Sequence, residues 1–225
     1  MSIYTDTVLR EILISEKGGI RDAEKINLYP FLEESLTPIG YDLRIGDEYS
    51  LSSHASKIPL KDNEEFSIRS NETVFIKSLE CLTMPGNKSL SGLVLSKVSI
   101  TGKDLNIAAT TIDPDWSGYL LIVMHNQSKN EIKLKKGQQI CTAVFIENKL
   151  PSTKPSNKDN NRNDLLINNW NDLNNKTKQK RAIKKALPSG IIIFSLFIGY
   201  YIFGNAPGLA ASVAVGVALS NFFSR

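Results

Sequence analysis

The octapeptide Thr111-Ile112-Asp113-Pro114-Asp115-Trp116-Ser117-Gly118 carries more information than any other part of this 225-residue chain. It lies between two apolar strand-like runs, 105–110 and 118–127, and ends in a turn. Proline and glycine punctuate regular structure, because one fixes its backbone angle and the other tolerates angles that other residues avoid. A carboxylate, Asp113, stands at this corner between two strands.

The sequence on either side repeats the pattern. Strand candidates run over 41–52, 65–69, 72–83, 90–100, 105–110, 118–127, 131–135 and 139–147, separated by Gly, Pro, Asn and Asp. Glu131-Ile132-Lys133-Leu134-Lys135 alternates strictly, as a half-buried strand does. Lys136-Gly137 then turns into Ile140–Phe145, apolar on both faces and expected at the centre of a sheet. Val8, Leu9, Ile12 and Leu13 recur at helical spacing before Gly18-Gly19, which predicts a short opening helix. Residues 1–150 are thus expected to form a mainly β barrel or sandwich.

Composition narrows the function. The net charge is +4, but residues 151–225 hold 10 Lys and Arg against 3 Asp and Glu, leaving 17 against 20 for residues 1–150. A mildly acidic body argues against broad binding of nucleic-acid backbones there. Cys81 and Cys141 sit in apolar runs and read as small core residues. Neither belongs to a C-x-x-C or a His/Cys cluster, which counts against a zinc site and zinc-dependent deaminase chemistry. The charged Asp6, Arg10 and Glu11 within the first 13 residues argue against a signal peptide.

Several segments, in order, resemble the dCTP deaminase and dUTPase superfamily. The octapeptide resembles its I-D-P-x-W-x-G segment. Asn27 to Ser50 resembles its entry segment through Pro30-Phe31, Glu33-Glu34, Pro38 and Tyr41-Asp42-Leu43-Arg44-Ile45-Gly46. Leu79 to Pro85 resembles the strand before the phosphate loop, and Gly137-Gln138-Gln139-Ile140 with Val144-Phe145 resembles the late strand. The resemblance implies a distorted jelly-roll β-barrel, a homotrimer and nucleotide sites between subunits. It also implies roles: Asp113 as the carboxylate that activates water, and Asp42, Ser96, Lys97, Gly102 and Trp116 as nucleotide-binding positions. Mg²⁺ would accompany a bound nucleoside triphosphate.

Two departures bear on activity. The family's deaminase Glu lies seven residues after the Trp, and that position is Val123. His125 is assigned to the face opposite Val123, as a core or rim histidine. Counting back from Ile112, the two phosphate-loop Arg positions are Leu95 and Ile100. A register through Ser91-Gly92-Leu93 places Leu90 at the first Arg instead. Lys97 offers a point charge without an arginine's fork. The dUTPase's glycine-rich C-terminal arm has no counterpart.

The rest of the chain changes character. Residues 151–185 begin with Pro151 and Pro155, hold nine Asn between 157 and 175, and read as a linker. Leu166, Trp170 and Leu173 fit one face of a short interfacial helix. Residues 186–223 contain no charged side chain, and as one helix would be about 57 Å long, nearly twice the hydrocarbon thickness. Asn205-Ala206-Pro207-Gly208 divides them, so a two-helix transmembrane hairpin is expected over 186–225, with spans of about 186–204 and 207–223. Gly208, Ser212, Gly216 and Ser220 repeat every four residues, a spacing that lets helices approach closely in lipid. Six Lys and Arg between 176 and 185, with Arg225 beyond, place both ends in the cytoplasm and favour a lipid surface over nucleic acid. Three functions follow: a membrane-anchored nucleotide-binding protein with impaired catalysis, a tethered dCTP deaminase or dUTPase, and a nucleotide-sensing membrane effector.

Overall fold

Period-two burial along most strands builds a mainly β fold in the computed structural model. It describes residues 2–155, 191–195, 197, 200–201, 210–211 and 213–218. The order is α1 (Asp6–Ile12), β1 (Leu13–Ile14), β2 (Ile26–Tyr29), a 3₁₀ turn (Glu33–Ser35), β3 (Leu36–Thr37), β4 (Gly40–Leu51), β5 (His54–Pro59), β6 (Glu65–Ile68), β7 (Thr73–Thr83) and β8 (Leu90–Ser96). There follow α2 (Val98–Thr101), β9 (Leu105–Ile107), β10 (Thr110–Ile112), β11 (Ser117–Asn126), β12 (Ile132–Lys135) and β13 (Gln139–Glu147).

One path of paired strands runs β1-β2-β7-β4-β13-β8-β10, with β11 joined to β7 and β9 to β11. β12 pairs with β6 in a separate two-stranded sheet. The long strand β4 belongs to two neighbourhoods. Its Tyr41–Arg44 portion pairs with β13, and its Ile45–Leu51 portion pairs with β7. Gly46 sits where the change occurs. A Cβ there would lie 2.6 Å from the carbonyl oxygens of Lys77 and Ser78, so only glycine allows the approach. The core contains Tyr41, Leu43 and Ile45 from β4, Ile76 and Leu82 from β7, and Ile140, Cys141, Ala143 and Phe145 from β13.

β13 is central as expected, flanked by β4 and β8. Three boundaries differ from the sequence reading, one of them the run 105–110, which divides between β9 and β10. The opening helix stops at Ile12, well before Gly18-Gly19, because Leu13 and Ile14 become extended and pair with Ile26 and Asn27. The run 90–100 is not one strand: β8 ends at Ser96 and α2 follows, which turns Ile100 into the core. Short strands β2, β3 and β5 had no clear signal. β5 completes a hairpin with β4, Leu51 pairing with His54.

The chain divides into two compact units, Met1–Asn171 and Asp172–Arg225. In the second unit every described residue is helical. Ser195 Oγ donates to the Ile192 carbonyl at 2.8 Å. A Cβ on Gly216 would lie 2.9 Å from Ser195 Cβ, so two helical stretches meet where a side chain larger than hydrogen does not fit. The expected linker helix (Leu166, Trp170, Leu173), the Asn205–Gly208 turn and much of both spans lie outside the described residues. Among the described residues no helix is long and apolar enough to cross a membrane, so they give the expected spans no support.

Candidate functional site

Adjacent strands bring one group of the sequence-selected residues together. Thr142 of β13 pairs with Asp42 of β4 on one side and Leu95 of β8 on the other. Asp42 is only 4% exposed. Its carboxylate accepts a hydrogen bond from Thr142 Oγ1 at 2.7 Å and another from the Lys97 ammonium. Lys97 also donates to Gln139 Oε1 at 3.1 Å, and Gln139 Nε2 donates to Ser35 Oγ at 3.1 Å. A buried carboxylate needs such partners, because isolated charge is costly away from water. Lys97, read as a loose phosphate-binding charge, is therefore already committed to Asp42. Ser96 Oγ reaches the Ile107 carbonyl at 3.5 Å. Gly102 closes α2, its N–H donating to the Val98 carbonyl at 2.8 Å. Ile100, which the count back from Ile112 sets at the second phosphate-loop Arg position, is 2% exposed in the core, while Leu95 is exposed.

A second ion pair stands two residues along β4. Glu80 is fully buried and binds Arg44 through both the guanidinium Nε and the backbone N–H. Arg44 also donates to the Pro30 carbonyl at 2.8 Å. Burial outweighs the attraction of Arg44 and raises the Glu80 pKa above the usual carboxylate value. Sequence reading passed over this pair, since Arg44 and Glu80 lie 36 residues apart. Burial likewise raises the Cys141 thiol, which is a core residue as expected, whereas Cys81 is only half-buried.

The octapeptide forms a braced corner. Asp113 is half-buried, and its carbonyl accepts the Trp116 N–H at 3.0 Å. The Trp116 indole is 5% exposed, joins the core, and donates its Nε1–H to the Gly118 carbonyl at 3.2 Å. Arg21 donates to the Asp115 carbonyl at 2.7 Å, and Lys88 pairs with the Asp115 carboxylate at 3.7 Å. Beside the corner, Ser91, Pro114, Glu147, Asn148 and Lys149 line a cleft of about 440 Å³. Within one chain Asp113 does not meet Asp42. Three strand spacings and about four residues along β8 separate their levels, roughly 20 Å in an untwisted sheet.

β11 settles the position of Val123. Tyr119, Leu121, Val123 and His125 share the more open face, while Leu120, Ile122, Met124 and Asn126 are buried. Val123 and His125 thus lie on the same face, which corrects the assignment to opposite faces: residues two apart in a strand share a side. Val123 pairs with Phe75 of β7, and its carbonyl accepts the Ala108 N–H at 3.0 Å. His125 pairs with Thr73 and with Asn106 of β9. None of these partners is a carboxylate. Among the described residues no three His, Cys, Asp or Glu side chains cluster as a metal site.

The corner, the late central strand and the buried Asp42 all lie on one mainly β fold. A family model described as dCTP deaminase-like matches residues 17–148, and the chain belongs to that family. A dCTP deaminase of Pyrococcus horikoshii is 30% identical over 132 residues, covering 59% of this chain and 82% of that protein. A Methanosphaera stadtmanae protein named dCTP deaminase, dUMP-forming, is 25% identical over 173 residues, covering 69% of this chain and 84% of that protein. The 2′-deoxycytidine 5′-triphosphate deaminase from Agrobacterium tumefaciens matches in structure with a TM-score of 0.51 at 15% identity. That match spans 64% of this chain and 46% of the other, and shows a shared fold.

Proposed function

We propose that this chain is a nucleotide-binding member of the dCTP deaminase-like family with impaired catalysis. Residues 1–150 form a homotrimeric jelly-roll β-barrel, joined by residues 151–185 to a membrane anchor over 186–225, with both ends cytoplasmic. The observation that carries the loss of deamination is Val123. At the position where the family resemblance expects a Glu, an apolar side chain faces outward between Phe75 and Ala108. General base catalysis needs a carboxylate or imidazole within hydrogen-bond reach of the attacking water. Further support comes from Leu95 and Ile100 at the phosphate-loop Arg positions and from Lys97, held by Asp42. The same pair argues against Asp42 as a ligand for Mg²⁺, because its carboxylate already holds an ammonium and a hydroxyl. Asp113, half-buried at its corner, remains the carboxylate available for residual hydrolysis.

Membrane attachment rests on the charge-free run 186–223 and the six basic residues before it. A second reading makes the protein a nucleotide-sensing membrane effector. The small-residue stripe Gly208, Ser212, Gly216 and Ser220 supports it, since residues of this size let helices pack closely in lipid.

The test is ammonia release from dCTP by the full-length protein, with nucleotide binding measured on the same sample. Binding without ammonia above a protein-free control is expected. Ammonia release that disappears in Asp113→Asn would replace this reading with a membrane-tethered deaminase.

A further inference from the structure

We infer that Asn106 and His125 read the base of the bound nucleotide through their side chains. The inference rests on the nucleotide-binding reading above and adds which residues set specificity. In register, Asn106 of β9 and His125 of β11 are direct antiparallel partners, so their side chains rise from the same face about 5.5 Å apart at Cα. The neighbours alternate cleanly: Leu105, Ile107, Met124 and Asn126 are buried on the other side. Asn106, Val123 and His125 are half-exposed and Ala108 is exposed, so the face is open.

The two polar groups are unequally engaged with the protein. Thr73 Oγ1 lies 3.0 Å from His125 Nδ1 and fixes the ring's orientation. The ring's Nε2 and the whole Asn106 amide have no hydrogen-bond partner among the described residues. The fully buried Asn27 and Asn126, by contrast, each bind several backbone groups. An asparagine amide offers a donor and an acceptor in one plane, and an imidazole nitrogen offers one more. Beside them Val123 and Phe75, paired across β11 and β7, supply apolar contact area. A planar heterocycle with hydrogen-bonding edges fits that combination. A carboxylate at 123 would impose a charge beside its ring; valine leaves a neutral surface suited to holding a base unchanged.

The face would therefore discriminate between bases rather than transform one. Sites that hydrogen-bond a polar group reject analogues lacking it, because their own groups are then left unpaired.

Full-length protein in detergent is titrated with dCTP, dUTP, dTTP, dATP and dGTP, which share sugar and triphosphate and differ in the base. The wild type is expected to prefer one base by about tenfold or more, as one or two hydrogen bonds supply. Asn106→Ala and His125→Ala should each weaken that nucleotide by about tenfold and leave the poorer ones nearly unchanged, so the preference collapses. Asn106→Ser and His125→Gln, which keep polar groups at both positions, serve where an alanine variant fails to fold. A base preference retained in all four variants overturns the inference, and so does wild-type binding with no base preference, which leaves this face to a second copy of the chain. Absence of binding by the wild type to any of the five overturns the nucleotide-binding reading itself and this inference with it.

Discussion

Asp42 and Val123 stand at two positions that the family resemblance marks as functional, and they differ in opposite ways. Around Asp42 the charge is kept and then cancelled from within: Lys97 and Thr142 take the carboxylate's oxygens, and Gln139 holds Lys97. Around Val123 the charge is gone, yet neighbouring polar groups are left open. On the proposed reading, one acid is neutralised by a partner and the other position carries an alkyl group in its place. The first route strengthens the fold locally. The second leaves a surface able to recognise without reacting.

The largest effect expected on the Asp42 side belongs to its companion pair. Glu80→Ala leaves the Arg44 guanidinium without its buried partner and should cost roughly 3–5 kcal/mol in denaturant unfolding. The double change Arg44→Met with Glu80→Leu should recover much of that loss, because both desolvation penalties disappear together. The pH dependence has a definite sign. The Glu80 pKa is raised in the folded state, so its stabilising contribution is full below the usual carboxylate range and is lost as pH rises through the raised value. Wild-type stability relative to Glu80→Gln should therefore fall as pH rises from acid toward neutral, measured by thermal unfolding. The opposite trend would mean that Arg44 dominates over burial.

Next in size, Lys97→Met should cost about 1–3 kcal/mol, because Asp42 keeps Thr142 but loses its counter-charge. The comparison sharpens if nucleotide affinity changes less than stability does; a large loss of affinity with little loss of stability would restore Lys97 to phosphate binding. Val123→Glu introduces a carboxylate on an open face and should shift stability by only about 0.5 kcal/mol. On the proposed reading it should not create deaminase activity, because that reading places Leu95 and Ile100 at the phosphate-binding arginine positions. Comparably small, Arg10→Ala removes an exposed pair with Glu33 and should change stability by about 0.5 kcal/mol or less.

What the sequence made legible follows from how local each signal is. β11, β12 and β13 announced themselves because alternation, or a run apolar on both faces, is written in consecutive residues. The corner at 111–118 was visible for the same reason. α2 was not: Val98, Ser99 and Ile100 resemble strand residues, and only the tertiary need to bury Ile100 turns them into a helical loop. The Lys97–Asp42 and Arg44–Glu80 pairs join residues 55 and 36 apart, and no spacing rule links them. Trp116 was singled out beside a ligand, yet the structure buries its indole in the core and binds its N–H to Gly118. The place of His125 was within reach of strand parity, and the Asn106 pairing became visible only with the register of β9.

The central place of β13 also sets a timetable. This strand lies between β4 and β8, and β4 in turn leads to β7, so the principal sheet cannot close until residues 139–147 have been made. Sheets dominated by such distant pairings fold in roughly milliseconds to seconds. The 75 residues that follow position 150 take about 4–15 s to synthesise at roughly 5–20 residues per second. The β domain therefore has time to finish folding while the apolar tail is still being added. Two processes that could compete for the same hydrophobic side chains are separated by their order along the chain.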